Sequence, residues 1–310
     1  MQSRKWPWVC NSMERTCEQQ SRAPSNNLSG WINGFIGVVI FSGSLPATRV
    51  AVLQFDPVFL TVARATIAGI LALCLLVLLK SKRPERSQLY PLLIVAIGVV
   101  VGFPLLTALA LQHVTSAHSI VFLGMLPLAT AGFGVLRGGE HPQPAFWFFS
   151  VLGCGLVVAF ALNQGLTASP KGDALMLLAV IVCGLGYAEG AKLARVLGGW
   201  QVISWALALS LPVMAPLAWL LAPSSFASID TPAWLGLGYV SFFSMFIGFI
   251  FWYRGLAQGG IAAVGQLQLL QPFFGLALAA ILLHETVSIG MFSVTGGVIL
   301  CVIAAKRFAK

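Results

Sequence analysis

Between residues 30 and 305 the chain is a succession of apolar runs separated by connections too short to hold a domain. A membrane-spanning helix needs about 20 consecutive apolar residues. Ten such runs are discernible, at about 31–52, 57–79, 90–110, 116–136, 145–163, 174–193, 200–221, 233–252, 261–283 and 286–305. Helices joined by such short loops pack as antiparallel neighbours in one bundle. The runs are continuous and do not alternate with period 2, which argues against a barrel. Composition agrees: 58% of residues are apolar and 9% are charged, against about 25% charged in a soluble domain. The mean hydropathy is +0.90. So few charges cannot cover a soluble surface of this size, which excludes a soluble enzyme, a disordered chain and a nucleic-acid module. The expected fold class is an all-α integral membrane protein with the lipid bilayer as its solvent.

Polar turn residues mark the breaks. Lys80 to Arg86 separates the second and third runs, Arg137 to Pro144 the fourth and fifth, and Asn163 to Asp173 the fifth and sixth. The weakest breaks are Gln54-Phe55-Asp56-Pro57 and His284-Glu285. Residues 1–29 differ from the rest. They are polar, contain Trp6-Pro7-Trp8, and have no apolar core of signal-peptide length, so they read as a disordered cytosolic tail. Cys74, Cys154, Cys183 and Cys301 lie in apolar runs, where cysteine packs as a small hydrophobe. Cys10 and Cys17 have no zinc spacing. No metal or cofactor site is expected.

The net charge is +9, and its distribution carries information. Under an alternating topology, fifteen of the 18 Lys and Arg fall in the two tails and in the connections on the tails' side. Lys171 is the one basic residue of the opposite connections, and Arg49 and Arg64 lie within runs. Cytoplasmic loops carry such an excess. Both termini are therefore expected in the cytoplasm, and the charge surplus is a topology signal, not a nucleic-acid footprint.

Ten runs suggest two halves. At an offset of 145 residues, Leu111, Ala117, Pro127 and Glu140 fall on Leu256, Ala262, Pro272 and Glu285. Each half then shows a proline within a run and a glutamate 13 residues later at its end. Five is odd, so the second half enters the membrane inverted, with Glu140 on the cytoplasmic side and Glu285 on the outer side. The expectation is two inverted five-helix repeats, residues 30–165 and 172–305, with a basic cytosolic C-terminus at 306–310. Inverted repeats around a midplane cavity are an alternating-access architecture. A proline inside a helix removes a backbone hydrogen bond and kinks it. Pro127 and Pro272, as a symmetric pair, are expected to shape the cavity or its gating.

Three stretches carry a family resemblance. The first is Phe41-Ser42-Gly43-Ser44-Leu45-Pro46-Ala47, followed by Phe55-Asp56-Pro57 and Arg64. The second runs from Ala110-Leu111 through Pro127 to Gly139-Glu140. The third runs from Gly255-Leu256 through Pro272 to His284-Glu285 and Gly296-Gly297. In this order, across about residues 30–305, they resemble the EamA-like permeases of the drug/metabolite transporter superfamily. The family usually has glycine before the second glutamate, where this chain has His284. The resemblance implies a secondary carrier of small metabolites such as amino acids and related compounds, often moved outward, in a bacterial inner membrane. It also implies an arginine in the second helix, here Arg64, and a small-residue turn around Pro46 in the first.

Ionisable groups within a membrane are costly and are functional candidates by default. Glu189, beside Tyr187, reads as a substrate-amine contact or a proton-coupling carboxylate; the alternative is a pair with Lys192 or Arg195 about a turn from the cytosolic end. Arg64 reads as a structural or gating residue paired with Asp56 or with outer-end carbonyls. Arg49 is expected to reach the interface. Gln268 and Gln271 share a helical face, with Gln266 about 200° away. Their uncharged amides suit a zwitterion or can bridge helices. Ser44, Ser241 and Ser244 are expected cavity groups, and Pro46, Glu140 and Glu285 gating or structural ones. Trp252 and Tyr253 read as an interfacial aromatic belt. His113, His118 and His284 fall on the outer side and read as loop polarity.

The leading expectation is a metabolite exporter, acting as monomer or homodimer on a small-molecule substrate. Uptake, or efflux of drugs and hydrophobic cations, is the alternative within transport. A membrane-embedded enzyme needs convergent acid or base groups, and Glu140, Glu189 and Glu285 are spread over different depths. A channel needs a ring of charge or a filter, and no such motif is present.

Overall fold

The structure, a computed structural model, describes residues 27–114, 119, 122–162, 169–283 and 289–309. Among them there is no strand. In the first half, α1 (Asn27–Ser42) and α2 (Ser44–Val52) are separated at Gly43, and α3 (Pro57–Leu78) follows. Next come α4 (Arg86–Val95), a π-helical stretch Ala96–Gly102 and α5 (Phe103–Ala110). α6 (Leu126–Gly138) and α7 (Pro144–Leu162) complete that half. The second half has α8 (Pro170–Leu197), α9 (Gly199–Leu220) and α10 (Thr231–Tyr239), then a π-helical stretch Val240–Ile247 and α11 (Gly248–Gly259). α12 (Ile261–Gly265), a 3₁₀ stretch Gln266–Leu270, α13 (Gln271–Leu283) and α14 (Ile289–Phe308) end the chain.

Among the described residues, six helical stretches are long and apolar enough to cross a membrane: Leu28–Val52, Pro57–Leu78, Arg86–Ala110, Pro170–Leu197, Gly199–Leu220 and Thr231–Gly259. Pro144–Ala159 is a shorter apolar helix. The remaining expected runs hold the shorter or interrupted elements α6 and α12 to α13, and the continuous 20-residue α14. Local chemistry explains the boundaries. Asp56 caps α3, its carboxylate accepting from the Val58 and Phe59 amides at 2.8 and 3.1 Å, and Pro57 fills the first helical position, where no N–H is needed. Glu85 and Gln88 form a reciprocal capping box on α4. In lipid every backbone group needs a partner inside the chain. Pro104 donates nothing to the carbonyl four residues back. The turn before it widens, and Phe103 N–H reaches Gly98 O, five residues back.

The irregular segments repeat. An offset of 145 carries the first π-helical stretch, 96–102, onto 241–247, within the second. The same offset carries α6, 126–138, onto α13, 271–283. Packing follows the same exchange. α1 packs on α11, and α8 packs on α4, the first π-helical stretch and α5. Thus the first helix of each half lies on the third of the other. α3 pairs with its counterpart α9, and α7 with α14.

Two expectations change here. Pro127 and Pro272 do not kink the middle of continuous helices. Each is the second residue of its helix, α6 or α13, directly after irregular backbone. In the first turn of a helix the missing N–H costs nothing, so these prolines restart broken helices. Trp252 and Tyr253 are not an interfacial belt. Both are fully buried, and the Tyr253 hydroxyl donates to Gly186 O across to α8 at 3.1 Å. Glycines leave the room for this: Gly190 faces the Tyr253 ring, and Gly37 lets the Trp252 backbone approach α1 closely. Residues 1–26, with Cys10 and Cys17, and also His118, His284 and Glu285, lie outside the described residues.

Candidate functional site

A cavity of about 30 Å³ lies between the two halves. Its polar groups come from five separate segments: Ser44 and Thr48 on α2, Arg64 on α3, Thr107 on α5, Ser244 in the second π-helical stretch and Gln271 opening α13. Phe41, Phe103, Tyr187 and Phe249 supply aromatic wall. This volume holds about two waters and no metabolite, so substrate entry requires neighbouring helices to separate.

Three of these polar groups, Ser44, Ser244 and Arg64, form one hydrogen-bonded set. Ser44 Oγ donates to Ser244 Oγ at 2.7 Å. Arg64 Nη2 donates to Val240 O at 3.2 Å and Ser244 Oγ at 3.4 Å. Val240 opens the π-helical stretch, the kind of local irregularity that recurs at functional sites. Arg64 therefore does not pair with Asp56, whose carboxylate is held by its own helix N-terminus. Gln271 Nε2 donates to Phe41 O at 3.3 Å, tying α13 to α1. Ser241 is not a cavity group; its hydroxyl donates to Leu237 O one turn back at 2.6 Å. Arg49 donates to Leu111 O at the end of α5. Pro46 lies instead on an apolar groove of about 520 Å³ formed with Ala47, Leu235 and Tyr239.

On the side of the cavity toward the basic residues, aromatic rings close ranks. Tyr187 packs against Trp252 at 5.4 Å and Phe249 at 5.9 Å, and Phe249 against Tyr253 at 5.4 Å. Beyond them, Glu189, 1% exposed, pairs with Arg137, 42% exposed, at the end of α6. The expected partners Lys192 and Arg195 are not used. Glu189 lies eight residues before the end of α8, about two turns in, and Arg137 reaches inward from the neighbouring helix to meet it. Arg195 pairs instead with Glu140 at 2.9 Å. Glu140 also accepts from the Ile261 and Ala262 amides at 2.7 Å each. A carboxylate at a helix N-terminus satisfies free donors and complements the dipole. Two left-handed glycines make the contact: Gly139 (φ 66°) turns the chain after α6, and Gly260 (φ 94°) opens α12. Glu140 of the first half is thus an N-terminal cap for the second.

Gln266 and Gln268 are buried on the 3₁₀ stretch. Neither amide makes a hydrogen bond of normal geometry among the described residues, although Gln268 lies beside the Tyr187 hydroxyl. A buried amide without a partner costs about 1–3 kcal/mol. Gln266→Leu is therefore expected to raise thermal stability by about 1–3 kcal/mol, measured by melting in detergent. A lowered melting temperature contradicts the assignment of Gln266 as unpartnered.

Among the polar and charged candidates, the structure joins Ser44, Ser244, Arg64, Tyr187 and Gln271 in one cavity. It places Glu189 and Glu140 in ion pairs at the basic side, and Ser241 within its own helix. Thr48 and Thr107 were missed, since isolated threonines in apolar runs carry no sequence signal. Arg137 was missed as a partner because it looks like an ordinary loop charge.

Comparison with known proteins agrees with this two-part arrangement. A crystal structure that is 18% identical matches with a TM-score of 0.74, over 92% of this chain and 98% of that one, which speaks to the fold. A Bacillus subtilis (strain 168) protein described as "Uncharacterized transporter YdeK" is 68% identical over 282 residues, 91% of this chain and 98% of its own length. The sequence pattern of the EamA-like transporter family matches twice, at residues 28–161 and 170–305, the two halves that exchange contacts in the bundle. The chain is a multi-pass membrane protein and belongs to the EamA-like transporter family.

Proposed function

We propose that this transporter is a secondary carrier that exports small metabolites, amino acids or related compounds, across the cytoplasmic membrane by alternating access. The observation that supports this most is the cavity itself. Its polar groups come from both halves and sit beside broken or π-helical backbone, as in carriers that rock one repeat against the other. The ion pairs Arg137–Glu189 and Arg195–Glu140 and the rings above them then close the cytoplasmic end, and entry of substrate from that side begins by opening them. The basic bias of the loops supports cytoplasmic termini. Ten crossings in two inverted sets of five follow from the run count and the repeat offset. The described lining of the cavity comes from one copy of the chain, a geometry compatible with transport by a monomer or a homodimer.

Purified protein in liposomes tests this. Saturable flux of radiolabelled amino acids, changed by an imposed pH gradient, is expected of the carrier. Non-saturating flux contradicts it in favour of a channel, and chemical conversion of the substrate contradicts it in favour of an enzyme. Glu189→Gln across pH tests proton coupling. An unchanged rate and profile removes Glu189 from that role. Uptake is the second reading, supported by the same alternating-access geometry, and inside-out against right-side-out liposomes separate it from export.

A further inference from the structure

We propose that Arg64 is the anion-docking residue of the cavity, so that substrates carry a carboxylate or a similar single negative group and organic cations are rejected. This rests on the carrier reading above and narrows its substrate class.

The observation is a buried charge without a counter-charge. Arg64 is buried and lines the cavity. Among the described residues, its two hydrogen bonds leave from Nη2 and go to neutral acceptors, the Val240 carbonyl and the Ser244 hydroxyl. Nε has no partner. Among the described residues no carboxylate lines the cavity and no salt bridge involves Arg64. Asp56, the nearest acidic residue along α3, is committed to the Val58 and Phe59 amides. The two described ion pairs with glutamate lie at the basic side and use Arg137 and Arg195.

An ionised group taken out of water without a partner is expensive. Structural arginines in such places are matched by acids. This one is held by neutral groups that orient it and leave much of its five-donor fork unused. A carboxylate is the planar partner that fork accepts with two parallel hydrogen bonds. Thr107, whose buried hydroxyl is also without a partner among the described residues, lines the same cavity and offers a further donor. Phe41 and Phe249, whose rings pack at 5.0 Å, provide an apolar wall for the rest of the molecule. A cationic substrate meets the same guanidinium as repulsion in a medium of low dielectric, where the penalty is largest.

The test uses the purified full-length chain in detergent and three probes of matched shape: phenylacetate, phenylethanol and phenylethylammonium. Binding is read by thermal shift and tryptophan fluorescence. Wild-type protein is expected to bind phenylacetate at least about tenfold more tightly than the ammonium probe. Arg64→Gln is expected to lose about tenfold for the anion and to level the three probes, and Arg64→Lys to recover part of the preference. Equal or tighter binding of the cation by wild-type protein overturns the proposal, as does an Arg64→Gln protein with unchanged anion affinity. No response to phenylacetate at millimolar concentration also overturns it. If Arg64→Gln does not fold, the wild-type probe series still decides. Anion-selective binding without flux in liposomes removes the carrier reading and leaves Arg64 as the docking residue. Flux of cations alone does the reverse.

Discussion

Gly255→Leu is expected to prevent the protein from reaching its folded state. A Cβ at Gly255 would lie 2.5 Å from Gly34 N and 2.8 Å from Gly34 Cα. The reciprocal site is as tight, since a Cβ at Gly30 would lie 2.5 Å from Gly259 N. The obstructing atoms are backbone, so no rotamer change relieves them; α1 and α11 have to separate. Gly30 and Gly34, and Gly255 and Gly259, are each four residues apart, so both helices present a small-residue face. In lipid the hydrophobic effect does not hold helix to helix, and close packing supplies much of the association. Overpacking a core by a few methylenes costs about 1–3 kcal/mol, and a leucine side chain against backbone exceeds that. The measurement is recovery of monodisperse protein from membranes and its melting temperature. Gly238→Ala is the control, because a Cβ there meets nothing within 4 Å, and it is expected to behave as wild type. Wild-type melting of Gly255→Leu contradicts the packing of α1 on α11.

Arg137→Ala is expected to disrupt the closed basic side more severely than Glu189→Gln. The asymmetry follows from burial. Removing Arg137 leaves the Glu189 carboxylate, 1% exposed, with no described partner, and breaking a buried pair from one end is far worse than replacing both ends. Glu189→Gln leaves Arg137, which is 42% exposed and turns back to water. The double variant Arg137→Ala with Glu189→Gln is expected to recover stability relative to Arg137→Ala alone. The readouts are melting temperature and thiol labelling of Cys183, which is fully buried one turn from Tyr187. Labelling of Cys183 is expected to rise about tenfold in Arg137→Ala, the size of a modest population shift toward an open state. Equal melting of the two single variants, with no recovery in the double variant, rejects the pair as a latch.

Much of the framework was legible in the sequence because lipid allows few solutions. Apolar runs of spanning length, loop charges and an offset of 145 between the halves pointed to a bundle with internal symmetry. The π-helical stretches and the restarted helices at Pro127 and Pro272 then fall at that same offset. The prolines were misplaced in role because a sequence shows that a proline lies in an apolar run but not whether the helix has already stopped before it. Trp252 and Tyr253 were misread for a related reason. Their position near the end of a run resembles an interface belt, and only the glycines of neighbouring helices show that the rings point inward.

The candidate site was legible as a set of residue types but not as a set of partners. Glu189 stood out because a carboxylate in an apolar run is costly wherever it points, yet its partner Arg137 comes from a different helix. Arg64 stood out for the same reason, and its neutral partners Val240 and Ser244 are 176 and 180 residues away. By itself, the sequence determined the solvent, the helical class and the two-part repetition, because those follow from hydrophobic length and repetition along one chain, while its motifs carried the family resemblance. Only the tertiary structure decided which charges are neutralised and which remain without a counter-charge, because pairing depends on which helix faces come together across the bundle.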